Sequence, residues 1–385
     1  MVLLHIKMFI QRAILKQLTA KIGQQKVLLL YGTRRTGKTY ILKEIQQQYG
    51  EKAMLLNGED FDDQERLKKR TAANYKQLTG KKSLLLIDEA QAVPEVGKIL
   101  KLIIDSVPDL TIIATGSSSL DLINKTGEPL VGRSYTYMLN PVAQCELEET
   151  SLDGYRNLEH RLVFGSYPEL WQLPNEKDKI EYLKNLVQSY LLKDIFEYSG
   201  IRNAEKIYQL LKLLAFQIGR EVSYNELANQ LDINKKTVET YLDLLAKVFI
   251  IYPLGGYGAN LRKEVTKSKK WYFFDNGIRN AIINNFNVPE SRNDTGVLWE
   301  QYFLSERQKF NYYRQHKPDY FFWRTYDGQE IDFLELDNNG IKAFECKWAK
   351  GKAKIPLAFA KNYPTANYVV INKENYWEWI VKEEK

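Results

Sequence analysis

Gly32-Thr33-Arg34-Arg35-Thr36-Gly37-Lys38-Thr39 satisfies the pattern G-x-x-x-x-G-K-[ST] at every fixed position. It stands between an apolar run, Val27 to Tyr31, and a helical pattern from Tyr40 to Gln47. That order of strand, glycine loop and helix is the context in which the pattern binds phosphate. A loop of backbone N–H groups aimed at polyphosphate needs glycine where a side chain would block the approach. The helix beginning near Lys38 adds the positive end of its dipole. On this reading Gly32, Thr33, Arg34, Arg35, Thr36, Gly37, Lys38 and Thr39 cradle the phosphates of ATP. Lys38 reaches the β- and γ-phosphates as a point charge, and the Thr39 hydroxyl ligates Mg²⁺.

The other half of such a site is Ser83-Leu84-Leu85-Leu86-Ile87-Asp88-Glu89, apolar without alternation, as a strand buried on both faces requires, and ending in two carboxylates. Asp88 is expected to hold Mg²⁺ and Glu89 to polarise the attacking water. From Val27 to about Glu146, apolar strands at Val27–Tyr31, Ala53–Leu56, Leu84–Ile87, Leu110–Ala114 and Tyr135–Leu139 alternate with helical stretches, which predicts a parallel sheet flanked by helices. Thr115-Gly116-Ser117 follows the fourth strand at the carboxyl edge, where ligands bind in such sheets. There Thr115 or Ser117 is placed to sense the γ-phosphate, although turn chemistry explains the same residues.

Composition bounds the rest. At 385 residues the chain is long enough for two to four units, and its 44% hydrophobic and 27% charged content is that of a water-soluble globular protein. A net charge of +7 is compatible with nucleic acid without proving it. Cys145 and Cys346 are too far apart for a C-x-x-C pair, and His5, His160 and His316 lack ligand-like spacing, so a disulfide framework, a zinc ribbon and a His-based metal site are not expected. Met1 to Ile10 is apolar, but Lys7 interrupts it and no small-residue cleavage pattern follows. A cytoplasmic protein with neither signal peptide nor membrane span is therefore expected.

Four segments follow from the patterning: an ATPase domain over 1–150, a helical lid over 151–214, a winged helix over 215–288 and a last α/β domain over 289–385. The lid segment carries a stripe of Tyr182, Leu183, Leu186, Tyr190, Leu191 and Leu192, more often core than site. Within 215–288, a short helix around Leu227-Ala228, a turn at Asp232 to Asn234 and a helix from Lys235 have helix-turn-helix spacing. Strand-like Val248 to Tyr252 and Trp271 to Phe274 then suggest a wing. Its Arg262, Lys263, Lys267, Lys269 and Lys270 form a basic cluster able to contact phosphates. An architectural module docking a partner is the other reading, because Glu239 and Asp243 share the second helix.

In the last segment, Glu300 falls on a helix, Asp332 on a strand, and Glu345-Cys346-Lys347 on or at the end of the next. Period-two geometry puts Glu345 and Lys347 on one face. Three carboxylates to hold Mg²⁺ and a lysine to orient water make a candidate metal-dependent nuclease site. A nuclease fold kept as a scaffold, or cross-strand salt pairing, is the alternative.

Taken together, the order of elements resembles a prokaryotic family of AAA+ ATPases in which the ATPase is followed by a winged helix and a C-terminal PD-(D/E)xK domain similar to restriction endonucleases. The resemblance covers nearly the whole chain and rests on Leu30 to Thr39, Ile87 to Gln91, Ala114 to Ser118, Gly132-Arg133, Gly165 to Glu169, Gly296 to Glu300, Gln329 to Phe333 and Phe344 to Lys347. Thr33 and Arg35 depart from the family's loop only at variable positions. The resemblance implies that Arg133 is an arginine finger reaching a neighbouring subunit's nucleotide, and so a homo-oligomer such as a ring. It implies Mg²⁺-dependent ATP hydrolysis coupled to binding, remodelling or processing of DNA. The alternative is a regulatory nucleotide switch whose C-terminal domains bind a protein and cut nothing.

Overall fold

A computed structural model describes residues 10–116, 130–191, 203–258, 269–349, 351 and 353–382. Ser117 of the expected site, and Arg262, Lys263 and Lys267 of the expected wing, lie outside the described residues. By contacts the chain divides into two compact units, one of residues 10–141 with 247–249, the other of 142–246 with 250–382.

In the first unit, strands β1 (Val27–Tyr31), β2 (Ala53–Asn57), β3 (Leu84–Asp88), β4 (Thr111–Gly116) and β5 (Ser134–Met138) form one parallel sheet in the order β2-β3-β4-β1-β5. All of β3 and all of β4 are buried, which is why these strands read as unbroken apolar runs. The helix Val96–Ser106 buries Val96, Ile99, Leu100, Ile103 and Ile104 at helical spacing, in one cluster with Leu29, Leu85, Ile87 and Ile112. The helix Lys38–Tyr49 buries Ile41, Leu42 and Ile45 and packs along β2, β3 and β4.

In the second unit, β6 (Glu221–Val222), β7 (Ile251–Tyr257), β8 (Lys269–Phe273), β9 (Asp319–Arg324), β10 (Glu330–Asp337), β11 (Gly340–Cys346) and β12 (Asn367–Ile371) form a single mixed sheet, ordered β12-β11-β10-β9-β7-β8-β6. The join is the parallel pair β7/β9, Gly255 beside Phe321 and Tyr257 beside Trp323. One sheet therefore spans the 288/289 position read as a boundary. The helices Tyr224–Leu231 and Lys235–Lys247 stand where helix-turn-helix spacing put them. Ser223 caps the first through the Glu226 N–H, Asp232 ends it with φ at +49°, and the Asn234 side chain accepts the Thr237 N–H at 2.8 Å.

The helix Ser151–Phe164, from the segment read as a lid, packs inside this unit. A Cβ on Gly154 would come within 1.9 Å of the Trp377 ring, and the Leu162 and Val163 carbonyls accept hydrogen bonds from Asn280 at 3.0 and 2.8 Å. The helix Thr295–Tyr313 is buried around most of its circumference, as a central helix must be. At its heart the Arg307 guanidinium grips the Glu335 carboxylate at 2.8 and 2.9 Å, both side chains 2% exposed. No described helix is long and apolar enough to cross a membrane.

Candidate nucleotide site and C-terminal acid cluster

The loop after β1 is shaped by two glycines. Gly32 has φ +150°, and a Cβ there would lie 2.2 Å from the Leu139 carbonyl oxygen. Gly37 has φ +99° and begins the helix Lys38–Tyr49. Between them the half-buried Arg34 and the exposed Arg35, itself at φ +63°, occupy the variable positions. Lys38 is buried and folds back over the loop, donating to the Gly32 carbonyl at 2.8 Å and the Thr33 carbonyl at 2.9 Å. The Thr36 hydroxyl donates to the Thr33 carbonyl at 2.8 Å, while the Thr33 hydroxyl is buried with no hydrogen-bond partner among the described residues. Thr39 is exposed at the second position of the helix.

Strand register brings the remaining groups to the same edge. Leu30 lies beside Thr115 and Ile87 beside Ala114, so the loop, Thr115 and Asp88 emerge together at the carboxyl ends of β1, β4 and β3. The Thr115 hydroxyl donates to Asp88 Oδ1 at 2.5 Å and accepts the Glu89 N–H at 3.1 Å. Thr115 therefore orients the Asp88 carboxylate, a part not foreseen for it. Glu89 has φ +45° and accepts from the Gln91 amide at 2.5 Å. A strained residue of this kind persists only where its surroundings hold it, commonly at functional sites.

These residues fit a nucleotide and its metal. The glycine cradle leaves room that a Cβ would take, a buried ammonium sits over the loop, and a carboxylate with the Thr39 hydroxyl supplies oxygens suited to Mg²⁺. Bound there, Mg²⁺ would neutralise charge on the β- and γ-phosphates. The chain's own part would be to present the loop N–H groups and the Lys38 charge, with Asp88 and Glu89 held by the hydrogen bonds above.

Arg133 lies at the other end of the sheet. Its carbonyl accepts the Val27 N–H at 2.9 Å, and its guanidinium pairs with Asp105 at 2.8 Å, both about two-fifths exposed. Five-residue β1 separates it from the loop of its own chain by roughly 13 Å of strand.

In the second unit, Glu300, Asp332, Glu345 and Lys347 converge, together with a residue assigned elsewhere by sequence. Lys270 is not a wing lysine facing solvent. It is 2% exposed, forms ion pairs with Glu330 and, at 3.9 Å, with Glu300, and lies over the Phe322 ring. The cause is pairing: β8 sits inside the sheet between β7 and β6, so Lys270 turns inward while Lys269 stays exposed. Burial alone would lower the Lys270 pKa, but Glu300 and Glu330 outweigh it and the ammonium is held above its usual value.

Each acid has its own donor. Glu300 accepts from the Tyr272 hydroxyl at 2.5 Å, Asp332 from the Cys346 N–H at 2.7 Å and Glu345 from Lys347 at 2.7 Å. Burial, then repulsion from Glu300 and Glu345, raises the Asp332 pKa well above the usual carboxylate range; burial also raises that of Glu300. Among the described residues no group of three or more His, Cys, Asp or Glu side chains is disposed to hold a metal ion. The acids expected to share a metal are thus near one another but engaged separately, with lysine ammonium groups among them.

Sequence reasoning assigned Lys270 to the wing and missed Tyr272 and Arg12. Lys270 and Tyr272 were hidden because their burial depends on pairing with strands far along the chain. Arg12 is 4% exposed and donates to the Thr36 carbonyl at 2.6 Å and the Asn140 carbonyl at 2.7 Å. Its only sequence signal is a charge between the apolar stretch ending at Ile10 and the helix Ile14–Thr19.

Family models match three successive stretches of the chain. Residues 24–148 match the family described as AAA domain, which supports an AAA-type ATPase in this part of the chain. Residues 155–288 and 295–381 match two domains of unknown function, DUF8612 and DUF4143. The chain is 26% identical over 326 residues to uncharacterized protein Rv2008c of Mycobacterium tuberculosis, covering 83% of this chain and 70% of that protein. It is 25% identical over 356 residues to uncharacterized protein MJ1544 of Methanocaldococcus jannaschii, covering 85% and 76%. Among solved structures it is similar to the RuvB Holliday junction branch migration motor of Thermotoga maritima, with TM-score 0.33 and 18% identity over 63% of this chain and 90% of that one. It is also similar to the Pif1 helicase of Candida albicans, with TM-score 0.25 and 14% identity over 47% and 48%. The loop geometry and the AAA match carry the assignment, not these superpositions.

Proposed function

We propose that this protein is a Mg²⁺-dependent ATPase whose nucleotide cycle drives binding and remodelling of DNA, working as a homo-oligomer in which Arg133 completes a neighbour's site. The observation that carries the reading is the convergence of the Gly32–Thr39 loop, Thr115, Asp88 and Glu89 at one sheet edge. The DNA contact is supported by the helix pair followed by the β7/β8 hairpin, the order of a winged helix, with Lys235 and Lys236 exposed at the start of the second helix. If Arg133 acts in trans, Arg133→Ala and Lys38→Ala proteins, each inactive alone, should regain turnover when mixed. No recovery would count against it.

The nuclease-like cluster is read as a fold kept for binding without cleavage, because the buried Lys270, which such a site does not call for, already pairs with Glu300 and Glu330 among its acids. A second reading, a switch that docks a protein, draws on the groove of about 830 Å³ beside the helix Lys235–Lys247, where Glu221, Glu239 and Asp243 would repel phosphate. One set of measurements separates these readings. ATP turnover and binding are followed with duplex, branched and single-stranded DNA at several salt concentrations, with Mn²⁺ calorimetry on the same protein. DNA should stimulate turnover, and replacing Lys235, Lys236 and Lys269 should flatten the salt dependence by about 0.9 in log–log slope per lost duplex phosphate contact. The C-terminal cluster should contribute no Mn²⁺ site. Absence of any DNA effect would select the protein-docking switch, and a Mn²⁺ site abolished by Asp332→Ala, with DNA cleavage, would select the nuclease.

A further inference from the structure

We propose that Arg12 is a positioning residue of the nucleotide site, setting the shape of the phosphate loop through two backbone carbonyls. The inference rests on the loop Gly32–Thr39 being that site. The guanidinium is a rigid planar fork, and its two terminal nitrogens engage carbonyls 24 and 128 residues away in sequence.

One carbonyl belongs to Thr36, the residue before Gly37. In a trans peptide the carbonyl and the following N–H lie in one plane and point in opposite directions, so fixing the Thr36 carbonyl on Arg12 fixes the Gly37 N–H to point away from Arg12. The direction of that N–H is what an anion-binding loop must control. The other carbonyl belongs to Asn140. Its neighbour Leu139 presents the carbonyl that closes on Gly32, at the start of the same loop. One side chain therefore ties the segment against the loop's first glycine to the peptide leading into its second. Lysine has the charge but not the fork, so it cannot hold both carbonyls in one fixed relation.

A group that shapes the loop without touching the reacting atoms contributes equally to ground-state and transition-state binding, and its loss appears in KM more than in kcat. Arg12→Gln is expected to raise the KM for ATP by about tenfold or more, with kcat changed by less than about threefold, and Arg12→Lys to fall between it and wild type. ATP should raise the melting temperature of wild type and raise that of Arg12→Gln less at the same concentration. If Arg12→Gln does not fold, Arg12→Lys carries the test, its KM rising severalfold. A merely structural role would lower the melting temperature of the nucleotide-free protein and leave KM unchanged, and KM within about twofold of wild type in the folded variants would overturn the proposal. Were wild type itself to neither bind nor hydrolyse ATP, the site assignment would fail instead, so the two failures are distinguishable.

Discussion

Glu89→Gln protein is expected to bind ATP with Mg²⁺ as wild type does, but to turn it over at least about 100-fold more slowly. The amide keeps the size of the side chain and its place beside Gln91, while losing the charge that polarises water. Because Thr115 and Asp88 hold the Glu89 N–H at 3.1 and 3.2 Å, the left-handed backbone that aims this residue should survive the substitution. Binding and turnover should therefore separate. Single-turnover hydrolysis alongside equilibrium nucleotide binding checks this, and equal turnover in the two proteins would remove Glu89 from the chemistry.

The second large effect concerns stability. Arg307→Met should destabilise the second unit by about 3–5 kcal/mol, because the Glu335 carboxylate would be left charged and buried with Asn311 at 2.8 Å as its remaining donor among the described residues. Arg307→Met with Glu335→Leu should recover most of that loss, since exchanging a whole buried ion pair for apolar side chains is often neutral or stabilising. Denaturant unfolding of the two single variants and the double variant gives the coupling directly. A double variant as unstable as the sum of the singles would show that the pair does not act as a unit. Arg307 also donates to the Trp379 carbonyl at 2.7 Å, so recovery is expected to be incomplete.

The ATPase sheet was legible in sequence for a physical reason. Strands buried on both faces must be apolar throughout, and β3 and β4 announce themselves without help from distant residues. The loop was legible because its chemistry is local: eight consecutive residues contain the glycines, the lysine and the hydroxyl. The helix pair around Asp232 was legible in the same way, from apolar spacing and a turn within about twenty residues.

What failed to show was whatever depends on non-local pairing. Lys270 reads as one of several lysines in a basic stretch, and only the placement of β8 between β7 and β6 turns it inward to Glu300 and Glu330. The E-x-K spacing of Glu345 and Lys347 correctly put those two side chains together, at 2.7 Å, but could not say that Tyr272 and Lys270 would engage Glu300. Thr115 was visible as a hydroxyl at the right edge, but its hydrogen bond to Asp88 follows from β4 lying beside β3. Arg12 gave almost no signal, because the Thr36 and Asn140 groups it engages are backbone carbonyls and carry no side-chain signature.

The most direct test of the central claim is calorimetric titration of ATP with Mg²⁺ into wild-type and Lys38→Ala protein. One nucleotide should bind per wild-type chain and none measurably to Lys38→Ala, since the substitution removes the buried ammonium that lies over the Gly32 and Thr33 carbonyls. Equal binding by the two proteins, or no binding by wild type, would contradict the assignment of Gly32–Thr39 as the nucleotide site.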